Sequence, residues 1–202
     1  MTIYDYNSAY RGANFEGQER VNTRTAAFAH SFGAMLARRS SDRWSTMTSM
    51  LVTKTHRALS SIPQSPNDLY FPVDTTLAWS YRLTGSYRLP YGLNVSGLYT
   101  LLNGVYGQRT YTFRSLPNLS TRSIRLEPYG DSAAPARPNL NIRATKRLQL
   151  KSSRNLDVSF DAINAFNSNT PWATTYVSGP TFGYATTIAG PRTLRFGIAF
   201  SF

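Results

Sequence analysis

The sequence predicts an all-β chain: an antiparallel transmembrane β-barrel segment of about seven long strands with short periplasmic turns and long extracellular loops, and an incomplete barrel. Three observations carry this. Apolar and polar residues alternate over stretches well beyond the ordinary strand of roughly 5–6 residues. Short turns and long connections rich in Pro, Asn and Ser alternate along the chain without exception. Charged residues make up only 16% and aromatic residues 13% of the 202 residues. A strand needs about 9–11 residues to cross a bilayer at a tilt. A barrel wall need never look hydrophobic in a window, because only every second side chain meets lipid. No run of apolar residues is long enough for a transmembrane helix.

The first strand is expected over 23–38, with Ala26, Phe28, Phe32, Ala34 and Leu36 on one face and His30 interrupting it. A polar turn over 39–42 leads to a second strand over 43–54, whose two faces are hard to tell apart. The third, over 76–89, is the clearest. Leu77, Trp79, Tyr81, Leu83 and Tyr87 read as lipid-facing, and Thr76, Ser80, Arg82, Thr84, Ser86 and Arg88 as lumen-facing. Pro90-Tyr91-Gly92 has the residues of a tight turn.

The fourth strand, over 93–107, sets Val95, Gly97, Tyr99 and Leu101 against Asn94, Ser96 and Thr100. The fifth, over 139–150, puts Leu140, Ile142, Ala144, Leu148 and Leu150 toward lipid and Arg143 and Arg147 toward the lumen. After a turn at 151–154 the sixth, over 155–166, opposes Leu156, Val158, Phe160 and Ala162 to Asp157, Ser159 and Asp161. The last, over 192–202, sends Leu194, Phe196, Ile198, Phe200 and Phe202 to lipid and Arg195 to the lumen.

The long connections are 55–75, 108–138 and 167–191, and residues 1–22 read as the remnant of another extracellular loop ahead of a barrel segment spanning 23–202. In a compact soluble domain such loops would count against the assignment; on a barrel they form the exterior. Trp44, Trp79, Tyr81 and Tyr91 are read as lying near strand ends, where interfacial aromatic girdles form.

The net charge is +12, and 19 of the 22 basic residues are Arg. They are scattered from Arg11 to Arg195 rather than gathered into an arm, which argues against a nucleic-acid partner. Without cysteine the chain has no disulfide, thiolate metal site or cysteine nucleophile. The first 20 residues lack the basic and apolar regions of a signal peptide, so none is expected there. His30 and His56 are far apart without metal-ligand spacing, and no P-loop, dinucleotide or serine-nucleophile motif occurs. The expectation is therefore no enzyme, no catalytic residue, no metal and no cofactor. Asp157 and Asp161, with Arg82, Arg88, Arg143, Arg147 and Arg195, read as a polar lumenal wall.

The end of the chain carries a resemblance. Arg195, Gly197, Phe200 and Phe202 stand where the C-terminal β-signal of outer-membrane proteins has its fixed residues. The run LDVSFDAINAFNSNTP and the final TFGYATTIAGPRTLRFGIAFSF resemble the last two strands of TonB-dependent receptors, most closely the Oar-like type with a carboxypeptidase-regulatory-like domain. Asn164-Ala165-Phe166-Asn167 matches its recurring N-x-F-N.

The resemblance implies a C-terminal fragment of a receptor for a scarce nutrient, in the Gram-negative outer membrane. The partners it implies are outer-membrane lipid and lipopolysaccharide, the barrel-assembly machinery acting on the last strand, and a plug with the remaining strands. Such receptors have about 22 strands around a plugged lumen; neither plug nor TonB box is visible in this sequence. Two other readings stay open: a small autonomous barrel acting as a pore or adhesin, with an eighth strand near Ile3, Tyr4 and Tyr6, and a soluble basic β-protein binding nucleic acid.

Overall fold

The computed structural model describes residues 27–41, 43–58, 66–114, 121–150 and 154–201, together with Ile3, Asn7 and Ala9. The expectation for 1–22 falls almost wholly outside these residues, and that for Phe202 entirely so.

The described chain is all-β. In order it forms β1 (Phe28–Ser41), β2 (Trp44–Ala58), β3 (Val73–Arg88), β4 (Leu93–Leu102), β5 (Tyr106–Gly107), β6 (Thr110–Arg114), β7 (Thr121–Arg125), β8 (Ser132–Ala133), β9 (Arg137–Gln149), β10 (Asn155–Ile163), β11 (Pro171–Thr174), β12 (Ala185–Ile188) and β13 (Thr193–Ser201). Seven of these make one antiparallel sheet in the order β1-β2-β3-β4-β9-β10-β13. Each strand pairs with the next long strand in sequence, so the sheet is a meander. β1 and β13 form its two margins, and no pairing joins them among the described residues.

Local chemistry sets the strand ends. At the β3–β4 connection Tyr91 (φ 63°) and Gly92 (φ 73°) both take left-handed backbone, and the Leu89 amide donates to the Leu93 carbonyl at 2.7 Å. Consecutive positive φ values match the twist of a hairpin, at the cost of placing a tyrosine where glycine or asparagine is preferred. Pro90 fixes the preceding residue of this turn, Gly92 frees the last, and Tyr91 is 91% exposed at its tip.

β4 ends at Leu102, five residues before the expected limit of 107, and β5 belongs to a different sheet. Asn103 stops it: its side-chain oxygen accepts from the Trp79 amide at 3.0 Å and its side-chain nitrogen donates to the Gly104 carbonyl at 2.7 Å. At Gly104 the backbone of Ala134 comes so close that no Cβ would fit. The sixth strand ends at Ile163, short of the expected 166, because Asn164 takes left-handed backbone (φ 52°).

β2 and β3 extend further than expected, pairing as far as Ala58 with Val73. That extension moves Trp79 and Tyr81 to the middle of a 16-residue strand. They do not lie near a strand end, as a girdle would require. Trp44, the first residue of β2, does.

The long connections also differ from expectation. They contain three two-stranded sheets, β5–β8, β6–β7 and β11–β12. These pack at one end of the large sheet, against β3 through Tyr106 to the Leu77 carbonyl and Arg125 to Asp74, whereas among the described residues the other end carries short connections. The two buried apolar residues among those described, Ile124 (3% exposed) and Ala134 (9%), both belong to this loop assembly. The seven-stranded sheet itself buries no large apolar side chain.

Candidate functional site

Cross-strand partners in an antiparallel pair share a face of the sheet, so the register sorts every side chain. Leu77, Trp79, Tyr81, Leu83 and Tyr87 of β3 stand opposite Lys54, Val52, Met50, Thr48 and Trp44 of β2. They continue through Val95, Tyr99 and Leu101 of β4 to Leu140 and Ile142 of β9. From there the face runs through Val158, Phe160 and Ala162 to Ile198, Phe196 and Leu194 of β13. Leu77, Trp79, Tyr81, Leu83, Tyr87, Leu194, Phe196 and Ile198, all expected to face lipid, thus occupy one continuous apolar face. The Phe160 and Phe196 rings meet on it at 5.0 Å between centroids. Phe196 and Ile198 are 81% and 75% exposed.

The register also resolves β2. Its even-numbered residues from Trp44 to Lys54 share the apolar face, and the odd-numbered ones the other face. Sequence alone left this open because Thr, Ser and Met occur on both sides.

The opposite face is polar over most of its area. Hydroxyls meet across strands at Ser31–Thr53 (2.9 Å) and Ser45–Ser86 (2.8 Å). Arg82, Arg88, Arg143, Arg147, Asp157, Asp161 and Arg195 all lie on it. Two pairs are forked. Arg143 donates through Nε and Nη2 to the two oxygens of Asp161 at 2.5 and 2.8 Å. Arg147 donates to those of Asp157 at 2.7 and 2.9 Å.

This side-by-side geometry uses the planar guanidinium to fix both partners. Arg195 stands opposite Asp161 on β13, giving a row of cation, anion and cation. The β1–β2 end is different: Met35, Met47 and Leu51 share the polar face and are exposed, a patch that the alternation in β1 and β2 did not announce.

At the loop end the N-A-F-N segment is a corner. Asn164 and Asn167 both have φ 52°. Asn164 is 7% exposed. Its side-chain nitrogen donates to the Ser168 and Gly190 carbonyls at 3.0 and 2.7 Å, and its oxygen accepts from the Ser168 amide at 3.0 Å. The Asn141 side chain accepts from its backbone amide at 3.0 Å. The Asn167 oxygen accepts from the Arg192 amide at 3.0 Å. Two asparagines therefore tie the end of β10 to β9 and to the approach to β13.

The remaining loop contacts build a cap. Arg125 and Asp74 form an ion pair, and the Tyr129 amide donates to the same carboxylate at 2.9 Å. Arg109 donates to Ser178 at 3.0 Å and lies over the Phe182 ring at 4.8 Å. The Tyr176 hydroxyl donates to the Val105 carbonyl at 3.1 Å. Burial pushes the Tyr176 phenol above its ordinary range.

A Cβ on Gly107 would overlap the Tyr176 ring, so Gly107→Ala is expected to displace that ring and return its titration toward the ordinary phenol value of about 10. Because the raised value belongs to the folded state, the packing it reports is intact below about pH 10 and weakens as pH rises through the folded value. Ultraviolet phenolate titration of both proteins, with the other tyrosines as background, checks this. An unchanged titration in the variant would show that the ring does not sit against Gly107.

Between this cap and the polar face lies a cavity of about 500 Å³. Arg137, Asn139, Asn164, Thr170 and Trp172 line it. The Asn139 side-chain oxygen is buried and has no hydrogen-bond partner, while Trp172 is largely exposed. A flat aromatic surface beside amide and guanidinium groups suits a polar organic solute. The sequence named no ligand-binding residue. Trp172 in a long connection was the one visible signal, and the pairing of its loop with the strand ends is not readable from spacing.

The two histidines have structural settings. The His56 ring stacks on Phe28 at 4.8 Å and its Nδ1 lies 3.1 Å from the Thr75 hydroxyl. His30 lies 5.0 Å from Phe28 between ring centroids. Among the described residues no three His, Asp or Glu side chains gather as a metal site. No protein-family model, curated protein or solved structure matches the chain.

Proposed function

We propose that the chain is part of the wall of an outer-membrane β-barrel in a Gram-negative cell, the C-terminal portion of a TonB-dependent receptor that takes up a scarce nutrient. One observation carries the reading: seven antiparallel strands hold a single apolar face with no second layer on it among the described residues. A soluble sheet buries such a face against helices or another sheet. Lipid tails remove the need for that layer, provided every backbone group pairs between strands.

The apolar face then meets lipid, the charged face meets the lumen, and the loop cap stands outside the cell with its cavity open to solute. The resemblance at Arg195, Gly197 and Phe200 supports the same reading and makes β13 the strand offered to the barrel-assembly machinery. On this reading the chain supplies wall and outer loops to a transporter.

The absence of native cysteine permits a direct test. Single cysteines are introduced one at a time from 77 to 87 and the full chain is folded into phospholipid mixed micelles. Those at odd positions are expected to resist a water-soluble maleimide while those at even positions react. Equal reactivity on both faces, or the inverse pattern, would refute the membrane reading.

A further inference from the structure

A furrow interrupts the apolar face. Gly85 of β3 and Gly97 of β4 are register partners on that face, and the hollow above them measures about 620 Å³. Trp44, Tyr87, Tyr99 and Ile142 stand around it. The backbone does not require glycine here. Neither residue has a positive φ. A Cβ would meet the Ser45 carbonyl at 3.5 Å from Gly85, or the Asn141 carbonyl at 3.6 Å from Gly97, both ordinary contacts.

Glycine weakens a strand interior and marks places where another group comes close to the backbone. The Tyr99 ring packs edge-on against Tyr81 and Phe166, at 6.3 and 6.2 Å, and the space over the glycines stays open. What the two glycines supply is the hollow itself.

Charge is distributed unevenly about it. The carboxylates of the sheet, Asp74, Asp157 and Asp161, all lie on the polar face, whereas Arg38, Lys54 and Lys146 lie on the apolar face. Arg38 shares a row with the furrow floor, running Arg38–Thr46–Gly85–Gly97 across four strands. Its guanidinium lies 4.1 Å over the Trp44 ring, the wall nearest the short turns. At about 4.8 Å per strand, the Arg38 backbone stands roughly 10 Å from Gly85 and roughly 14 Å from Gly97, and among the described residues of the sheet no carboxylate shares its face. An apolar trough with a guanidinium at one end complements an amphiphile with an anionic head.

We propose that this furrow seats one acyl chain of an anionic glycerophospholipid whose phosphate is held by Arg38. The inference rests on the membrane reading above and adds a defined lipid site to it. Arg38 supplies the forked donors that suit a phosphate, and Trp44 keeps the guanidinium at the level of the headgroups.

Replacing Trp79 and Trp172 by Phe leaves Trp44 as the single tryptophan reporter. The full chain is folded in phosphatidylcholine mixed micelles containing a minor fraction of either brominated phosphatidylglycerol or brominated phosphatidylcholine. Trp44 quenching by the anionic lipid is expected to exceed that by the zwitterionic lipid roughly threefold, the scale that one exposed charge contact supports. Arg38→Gln should bring the two to the same level, and Gly97→Leu, which fills the trough, should do so as well.

Micelles made wholly of brominated phosphatidylcholine verify that each variant still enters lipid. Equal quenching by the two lipids in the reporter protein, with strong quenching in those all-brominated micelles, would overturn the seat and leave the membrane reading standing. Preference for the anionic lipid that survives Arg38→Gln would also overturn it. Absence of quenching even in all-brominated micelles would overturn both.

Discussion

Asn164→Ala is expected to destabilise the protein by about 3–4 kcal/mol, a large share of a net stability of roughly 5–15 kcal/mol. Three side-chain hydrogen bonds vanish, each contributing about 1 kcal/mol, and the freed Ser168 amide and Gly190 carbonyl lose their partner. Alanine must also adopt the left-handed backbone that asparagine tolerates, at roughly 1 kcal/mol more. Asn164→Gly loses the same bonds without that strain and should be milder by about 1 kcal/mol. Denaturant unfolding of the three proteins in one micelle system gives the ranking, and hydrogen exchange at the Ser168 amide locates the effect. A variant within about 1 kcal/mol of the parent would mean that the corner does not hold β9, β10 and the approach to β13 together.

The second large effect tests which solvent each face meets. Tyr81 stands at mid-strand on the apolar face and Ser80 beside it on the polar face. On the membrane reading Tyr81→Arg costs about 2–4 kcal/mol, the range for a cation facing lipid at mid-depth. Ser80→Arg joins a face that already carries Arg82 and should cost under about 1 kcal/mol, as a lumenal substitution does. Reversible unfolding from lipid vesicles measures both. If the two arginines cost the same, the apolar face does not meet lipid.

How much of this was legible beforehand differs from strand to strand. β3 and β13 could be read almost residue by residue, because one face is Leu, Trp, Tyr, Phe and Ile, and the other Arg, Ser and Thr. Alternation of that contrast fixes the face of every residue once one is placed. In β2 the face depended on Thr48 and Met50 against Ser49 and Leu51, which have little contrast, and only pairing with β3 decides it.

Strand ends were less legible. Asn103 and Asn164 end strands through side-chain bonds to backbone more than 20 residues away, the Trp79 amide and the Gly190 carbonyl. Such contacts have no local signature. The small sheets of the loop end were missed for a related reason. Strands such as Thr110–Arg114 and Thr121–Arg125 are five residues each, too short for periodicity to separate from chance. The cavity beside Trp172 inherits that blindness, since it exists only where the connection between β10 and β13 comes back against Arg137 and Asn139.

The odd number of long strands among the described residues has a geometric consequence. In a meander of seven, the first and last run in the same direction. Joining β1 directly to β13 would therefore create a parallel seam in an otherwise antiparallel wall. Two upright copies set side by side would create two such seams. A ring that alternates throughout needs an odd number of additional strands, the first and last of them both running opposite to β1. On the barrel reading, any strands that close the sheet are thus constrained in both count and direction by the seven long strands of the described residues.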